Sequence, residues 1–323
     1  MQRRDLIIAG TAGLLAAGTG KARAATYPER PVRLIVPYPP GGPADWPARL
    51  LAQGMTEELA QSVVVDNRSG AGGVVGTDAV AKAPPDGYTL CFGSTGGVVV
   101  SVSILPDPPF DPRRDLSPIT IVTSSPLLLM ASNRSGIRSA RELLERSKRG
   151  GGLNFGSSGP GATTHLAGEM LRMEAGLAFT HVPYRGAAPA LTAVLAGEVD
   201  FAILDPSALL VQAREGALRP LAIASHARMA ALPEVPTFAE AGLPDLAIEN
   251  WYALLAPAGT PADRINLLYN TTLKVLRRPS VSRQFAEQGA RIGGDTPDKT
   301  AAFMQEEVDR WAKVVKASGA RME

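Results

Sequence analysis

A chain of 323 residues, 45% hydrophobic and 20% charged, has globular composition and enough length for two domains, each with its own core. Its formal net charge is +2, and the first 24 residues hold +3 of it (Arg3, Arg4, Lys21 and Arg23 against Asp5), which leaves −1 for the rest. That balance supplies no basic face for nucleic acid, and a single cysteine, Cys91, excludes an internal disulfide and a multi-thiolate metal site.

Residues 1–24 read as an export leader. Arg3-Arg4 precedes a weakly apolar run rich in Ala and Gly, and Ala22-Arg23-Ala24 offers small residues for cleavage before Ala25. Arg3-Arg4-Asp5-Leu6-Ile7 resembles a twin-arginine signal, and an ordinary secretory signal fits the same residues. No later apolar run approaches the roughly 20 residues that cross a bilayer.

Short apolar strands then alternate with amphipathic helices. This predicts an α/β architecture with mainly parallel pairing. Strands are expected over 32–36, 63–65, 89–92, 119–122, 127–131, 153–155, 180–182, 201–204, 221–224 and 251–255. Helices are expected after the first loop, where Trp46, Leu50, Leu51, Met55 and Leu59 form one stripe, and over 163–174, 187–195, 207–215, 262–277 and 297–317. Cys91 falls in a buried strand and reads as a small core residue. The proline-rich stretch 105–112 reads as an ordered loop. The chain is expected to cross between lobes near 123–126 and again near 247–251. On that reading 25–123 and 249–323 build one lobe, and 124–248 is an inserted second lobe.

Four glycine-rich loops follow predicted strands, where parallel sheets gather their ligands. The first, 37–45, contains Tyr38, Pro40, Gly41, Gly42 and Asp45. Its glycines allow close backbone approach to an anion and its prolines pre-order the loop, while Asp45 alternatively caps the next helix. The second, 67–76, carries Gly70, Gly72 and Gly73 but misplaces the third glycine of a dinucleotide fingerprint; it reads as a backbone nest or as a purely structural turn. The third, 93–97, offers Ser94 and Thr95 either to a ligand or as a helix cap. The fourth, 156–165, clusters Ser157, Ser158, Thr163 and Thr164 ahead of His165 at a helix start, a second anion cradle.

Further on, Tyr184 offers an apolar wall and a hydroxyl, and Arg185 is either a solvated loop charge or a partner for a distal carboxylate. Asp205 either caps the following helix or accepts from a ligand donor. His165, His181 and His226 lack metal-ligand spacing, so no metal and no cofactor is expected. A hydrolase would use Ser157 or Ser158 with His165 as base, but the nucleophile-elbow spacing is one residue short.

These motifs resemble the Bug-type extracytoplasmic solute receptors of tripartite tricarboxylate transporters. The resemblance rests on Tyr27-Pro28-Glu29-Arg30-Pro31 with the 37–45 loop, Val64-Val65-Asp66-Asn67-Arg68, Gly70-Ala71-Gly72-Gly73 and Asp86-Gly87-Tyr88-Thr89-Leu90. It continues through His181-Val182-Pro183-Tyr184-Arg185-Gly186, Gly197-Glu198-Val199-Asp200, Leu232-Pro233-Glu234-Val235-Pro236, Trp251-Tyr252 and Ala256-Pro257-Ala258-Gly259-Thr260-Pro261. It implies a two-lobed type II periplasmic-binding-protein fold and a periplasmic location. It also implies a small carboxylate captured in the cleft and delivered to a membrane permease. Tyr38, Gly41, Gly42, Asp45, Gly73, Ser157, Ser158, Thr163 and Thr164 inherit carboxylate-holding roles on that basis. After Gly93-Ser94 this chain has Gly96-Gly97-Val98-Val99-Val100 where relatives tend to be polar, which implies a more apolar pocket wall there. A ligand-sensing receptor for a signalling partner and, more remotely, an exported hydrolase are the alternatives.

Overall fold

The computed structural model describes residues 27–150 and 152–321. The expected leader lies outside them.

Among the described residues, eleven strands form two sheets. The first has the order β11-β4-β10-β3-β1-β2, built from β1 (Val32–Val36), β2 (Val63–Asn67), β3 (Thr89–Ser94), β4 (Leu116–Pro126), β10 (Glu249–Pro257) and β11 (Arg291–Ile292). The second has the order β7-β6-β8-β5-β9, built from β5 (Leu128–Ser132), β6 (Asn154–Ser157), β7 (Thr180–Pro183), β8 (Phe201–Leu204) and β9 (Leu218–Ile223). Each expected strand has a counterpart, though β4 is much longer than its apolar run implies.

Pairing is mixed rather than mainly parallel. Strand β1 pairs in parallel with β2 and β3, and β6 with β7 and β8, while β10 runs antiparallel to β3 and β4, and β5 to β8 and β9. The reason lies in the crossings. Strand β4 carries the chain out of the first sheet and β10 brings it back, so the two must run in opposite directions. Only Leu127 separates β4 from β5, so the chain passes directly from the first sheet into the second. At the crossing the Leu127 N–H donates to the Ile248 carbonyl at 2.9 Å, tying the outgoing and returning segments together.

The central strands are apolar on both faces because helices cover both. In β1, Leu34 packs with Leu51, Met55 and Leu268 on one side, whereas Ile35 packs with Cys91 and Val99 on the other. The second sheet behaves likewise, with Phe155 and Ile203 on one face and Met130 and Leu204 on the other. Helices Asp45–Leu59, Thr163–Ala175, Ala187–Ala196, Pro206–Arg214, Ala262–Leu276 and Pro297–Ser318 match the sequence reading within a few residues. Helix Val74–Ala81 begins in the 67–76 loop, which reads as a nest at a helix start; helices Ala140–Lys148 and Pro279–Glu287 were not expected, and residues 96–104 form a continuous helical segment immediately after β3. Val98, Val99 and Val100 in it are fully buried in the core, so they furnish no apolar pocket wall. Pro112–Asp115 adds one helical turn to the proline-rich stretch, capped by Asp111, whose side chain accepts from the Arg113 N–H at 3.0 Å.

Candidate functional site

The strand exits of the two sheets face each other across a cavity of about 590 Å³. That is within the size range of small-molecule sites. Both sheets supply its walls.

From the first sheet, the loop after β1 contributes Tyr38, Pro40 and Gly42. Tyr38 Oη donates to the Gly72 carbonyl at 3.0 Å and shares a hydrogen bond with Ser94 Oγ. Burial pushes the phenol up to about 12, against the lowering pull of Ser94, so it stays neutral. Gly72, Gly73 and Ser94 also line the cavity. Gly41 and Asp45 do not. Asp45 accepts from the Gly41 N–H at 2.9 Å, from Arg49 Nε at 2.8 Å and from Asn67 Nδ2 at 2.9 Å. Burial alone would raise the Asp45 pKa, but these donors outweigh it and hold the carboxyl below its ordinary value. The expected ligand donor Gly41 is therefore spent inside the protein. The pair fixes the loop against β2, where Asn67 Nδ2 also reaches the Tyr38 carbonyl at 3.0 Å.

From the second sheet, Ser158, Thr163 and Thr164 line the cavity, and Ser157 and His165 do not. Ser158 Oγ and its backbone N–H both meet Thr164 Oγ1, at 2.6 Å and 3.0 Å. Thr163 and Thr164 open their helix, where backbone N–H groups have no intrahelical acceptor. Ser157 is fully buried; its Oγ meets His181 Nε2 at 2.7 Å and accepts from the Gly159 N–H at 3.2 Å. Strand alternation explains the split, since Ser157 closes β6 pointing into the core and the next residue points out. His165 Nδ1 accepts from the Gly161 N–H at 3.3 Å, and its ring stacks on His181 with centroids 4.1 Å apart. The serine that meets a histidine is thus Ser157, with His181 rather than His165, and out of reach of a substrate.

Both stacked rings are neutral. Burial, with Arg172 adding, lowers each to about 4, and His181 itself also disfavours charge on His165. Glu169 Oε1 lies 3.8 Å from His165 Nε2, but beside a neutral ring this contact is no ion pair. Unfolded histidine protonates near 6.5, so the unfolded state binds more protons and stability falls as pH drops from about 6.5 to about 4. Asp205 and Glu169, both raised by burial, act in the opposite direction. His181→Gln is therefore expected to flatten the acid-side loss by on the order of 2 kcal/mol in urea unfolding at a series of pH values. A slope equal to that of the unaltered protein would contradict the buried neutral pair.

Tyr184 and Arg185 line the cavity at the start of helix Ala187–Ala196, and Asp205 lines it at the end of β8. Arg185 is exposed and Asp205 buried, and among the described residues these two are the only charged side chains in the lining. Among the lining residues that escaped the sequence reading are Asn250 and Tyr252 on β10. Asn250 Oδ1 accepts from Thr163 Oγ1 at 3.3 Å, and its Nδ2 donates to Tyr252 Oη at 2.9 Å and to both oxygens of Asp205 at 3.2 and 3.3 Å. It bridges the sheets at the cavity floor. Tyr252 sits beside Ser94 in the β10–β3 register and stacks on Phe92 at 5.5 Å. A polar Asn at a lobe crossing was the available signal; Tyr252 looked like any aromatic in an apolar strand. No cluster of potential metal ligands occurs among the described residues, and no helix there is long and apolar enough to cross a membrane.

Residues 47–320 match the family model described as "Tripartite tricarboxylate transporter family receptor". Protein BugT of Bordetella pertussis is 40% identical over 318 residues, covering 98% of this chain and 96% of that protein. The periplasmic binding protein BugD superposes with a TM-score of 0.86 at 32% identity, over 92% of this chain and all of that one (100%). An R. palustris protein solved with adipate gives 0.87 at 34% identity, over 92% of this chain and 100% of that one. MatC from Rhodopseudomonas palustris, with bound malate, gives 0.84 at 32% identity, over 90% and 100%. With a family match over most of its length and the two-lobed architecture of periplasmic relatives, the chain belongs to the tripartite tricarboxylate transporter receptors.

Proposed function

We propose that this protein captures a small organic acid between its two lobes and presents it to a membrane permease of the tripartite class. The observation that carries the reading is the cavity wall itself. Both sheets line the cavity with neutral polar groups, the hydroxyls of Tyr38, Ser94, Ser158, Thr163 and Thr164, which hydrogen-bond to protein partners here and would turn to the acid on binding, together with a helix N-terminus. Such donors hold a carboxylate without burying a fixed countercharge, whose desolvation is costly. Relatives solved with adipate and malate support an acid of this size. In this proposal residues 1–24 direct export and are removed. Residues 25–123 with 249–323 form one lobe and 124–248 the other, a division that sheet membership supports except at 124–126, which still pair within the first sheet. Closure bends the antiparallel β4–β10 pair where it leaves the first sheet.

A thermal-shift screen of the purified protein against mono-, di- and tricarboxylates tests the class, because a ligand that prefers the folded state raises the melting temperature. For an acid so found, Ser158→Ala weakens binding by about 1–3 kcal/mol, the range for a buried charge-assisted hydrogen bond. Unchanged calorimetric affinity would remove Ser158 from the site. A screen in which only amines or sugars raise the melting temperature would overturn the reading.

A further inference from the structure

Asp205 is an unusual residue for a cavity that takes an anion. It is 5% exposed, and it occupies the N-cap position of helix Pro206–Arg214. An Asp there ordinarily turns its carboxylate onto the helix N–H groups. This one makes no side-chain cap bond and faces the cavity instead. A carboxylate has about four acceptor sites. The side chain donating to it is Asn250, whose Nδ2 reaches the two oxygens at 3.2 and 3.3 Å while also serving Tyr252. Among the described residues no lysine, arginine or histidine pairs with it. Burial accordingly pushes its carboxyl up to about 6, against the weaker pull of Asn250 and of its own backbone N–H. A buried, under-satisfied carboxylate costs stability. Turned onto the helix it would have donors; turned to the cavity it waits for one.

We propose that Asp205 reads the far end of the ligand. The cleft takes a carboxylate whose opposite end donates hydrogen bonds, through an ammonium or a hydroxyl, and disfavours an acid whose opposite end is a second ionised carboxylate. This rests on the carboxylate reading above and narrows it. The hydroxyls and helix N-terminus hold the acid group, and Asp205 with Asn250 forms the acceptor-rich floor. Asn250 orients the Asp205 carboxylate and links it to Thr163, so both ends of the ligand are sensed by one connected set of side chains.

Titration calorimetry at neutral pH on two matched sets tests this. One is hexanoate, its ω-hydroxy and ω-amino derivatives, and adipate; the other is butyrate, its ω-hydroxy and ω-amino derivatives, and succinate. In the set that binds, the ω-amino or ω-hydroxy acid is expected to bind about tenfold or more tighter than the diacid, because like charges side by side are strongly disfavoured. Their order says whether charge or the hydrogen bond is read. Asp205→Asn keeps size and the Asn250 contact; it is expected to erase that preference and tighten the diacid, with its melting temperature reporting the fold. A diacid preferred by the unaltered protein, or an order unchanged in Asp205→Asn, overturns the proposal while leaving the carboxylate reading standing. Binding of none of these acids overturns the proposal too, and the carboxylate reading then stands or falls on the broader screen. The order in the unaltered protein needs no variant to fold.

Discussion

Gly73→Val is expected to weaken ligand binding severely while the protein still folds. Gly73 has φ +105°, in the region where an L side chain is strained. A Cβ there would sit 2.6 Å from Tyr38 Oη and 2.9 Å from its Cζ, and 3.2 Å from the Gly97 Cα. The Gly97 backbone cannot retreat, since residues 96–100 run into the core. Tyr38 therefore moves, breaks its bonds to the Gly72 carbonyl and Ser94, and enters the space a ligand needs. Strain and overpacking together cost about 2–4 kcal/mol of stability. Affinity for an acid found in the screen falls by on the order of 100-fold, as expected when a central, fully desolvated contact is lost. Calorimetry gives the affinity and thermal melting the fold. Retained affinity in a folded Gly73→Val protein would mean that this wall faces no ligand.

The second large effect is on stability, at the returning crossing. Glu307 is 5% exposed; its Oε2 accepts from Trp251 Nε1 and from Trp311 Nε1, each at 3.0 Å, and its Oε1 from Arg310 Nη1 at 3.1 Å. Arg310 also donates to the Ala247 carbonyl at 2.7 Å. The last helix thus straps the segment that leads into Asn250. Glu307→Leu strands two buried indole N–H groups, while the exposed Arg310 guanidinium turns to water, and is expected to cost about 2–5 kcal/mol in urea unfolding. Trp251 N–H donates to Thr95 Oγ1 at 3.0 Å, beside the cavity residue Ser94, so ligand binding weakens as well. A loss below about 1 kcal/mol would show that the strap is dispensable.

Where the sequence was legible, a local rule decided the outcome. The loops after β1, β2 and β6 were recognisable because Gly, Pro and hydroxyl residues have strong local meanings, and each of them borders the cavity. Composition does not say which residue of a loop faces inward. Ser157 and Ser158 look equivalent as text, and only their phase on β6 separates a core hydroxyl from a cavity hydroxyl. Asp45 illustrates the same limit, since its role depends on Asn67, which pairing with β1 brings alongside. Asn250 and Tyr252 were out of reach for a different reason. Their place depends on β10 returning between β3 and β4, an antiparallel insertion that alternating strands and helices do not announce. Strand β11 carries only two residues, too few for any periodic signal.

The central claim is that neutral donors from both lobes hold an acid group. Its most direct test is calorimetric titration of the unaltered protein with an acid found in the screen, beside the alcohol of identical carbon skeleton and beside Gly73→Val. One-to-one binding of the acid, with none of the alcohol and severely weakened binding to the variant, is the predicted result. Equal binding of acid and alcohol, or a variant that binds like the unaltered protein, would contradict it.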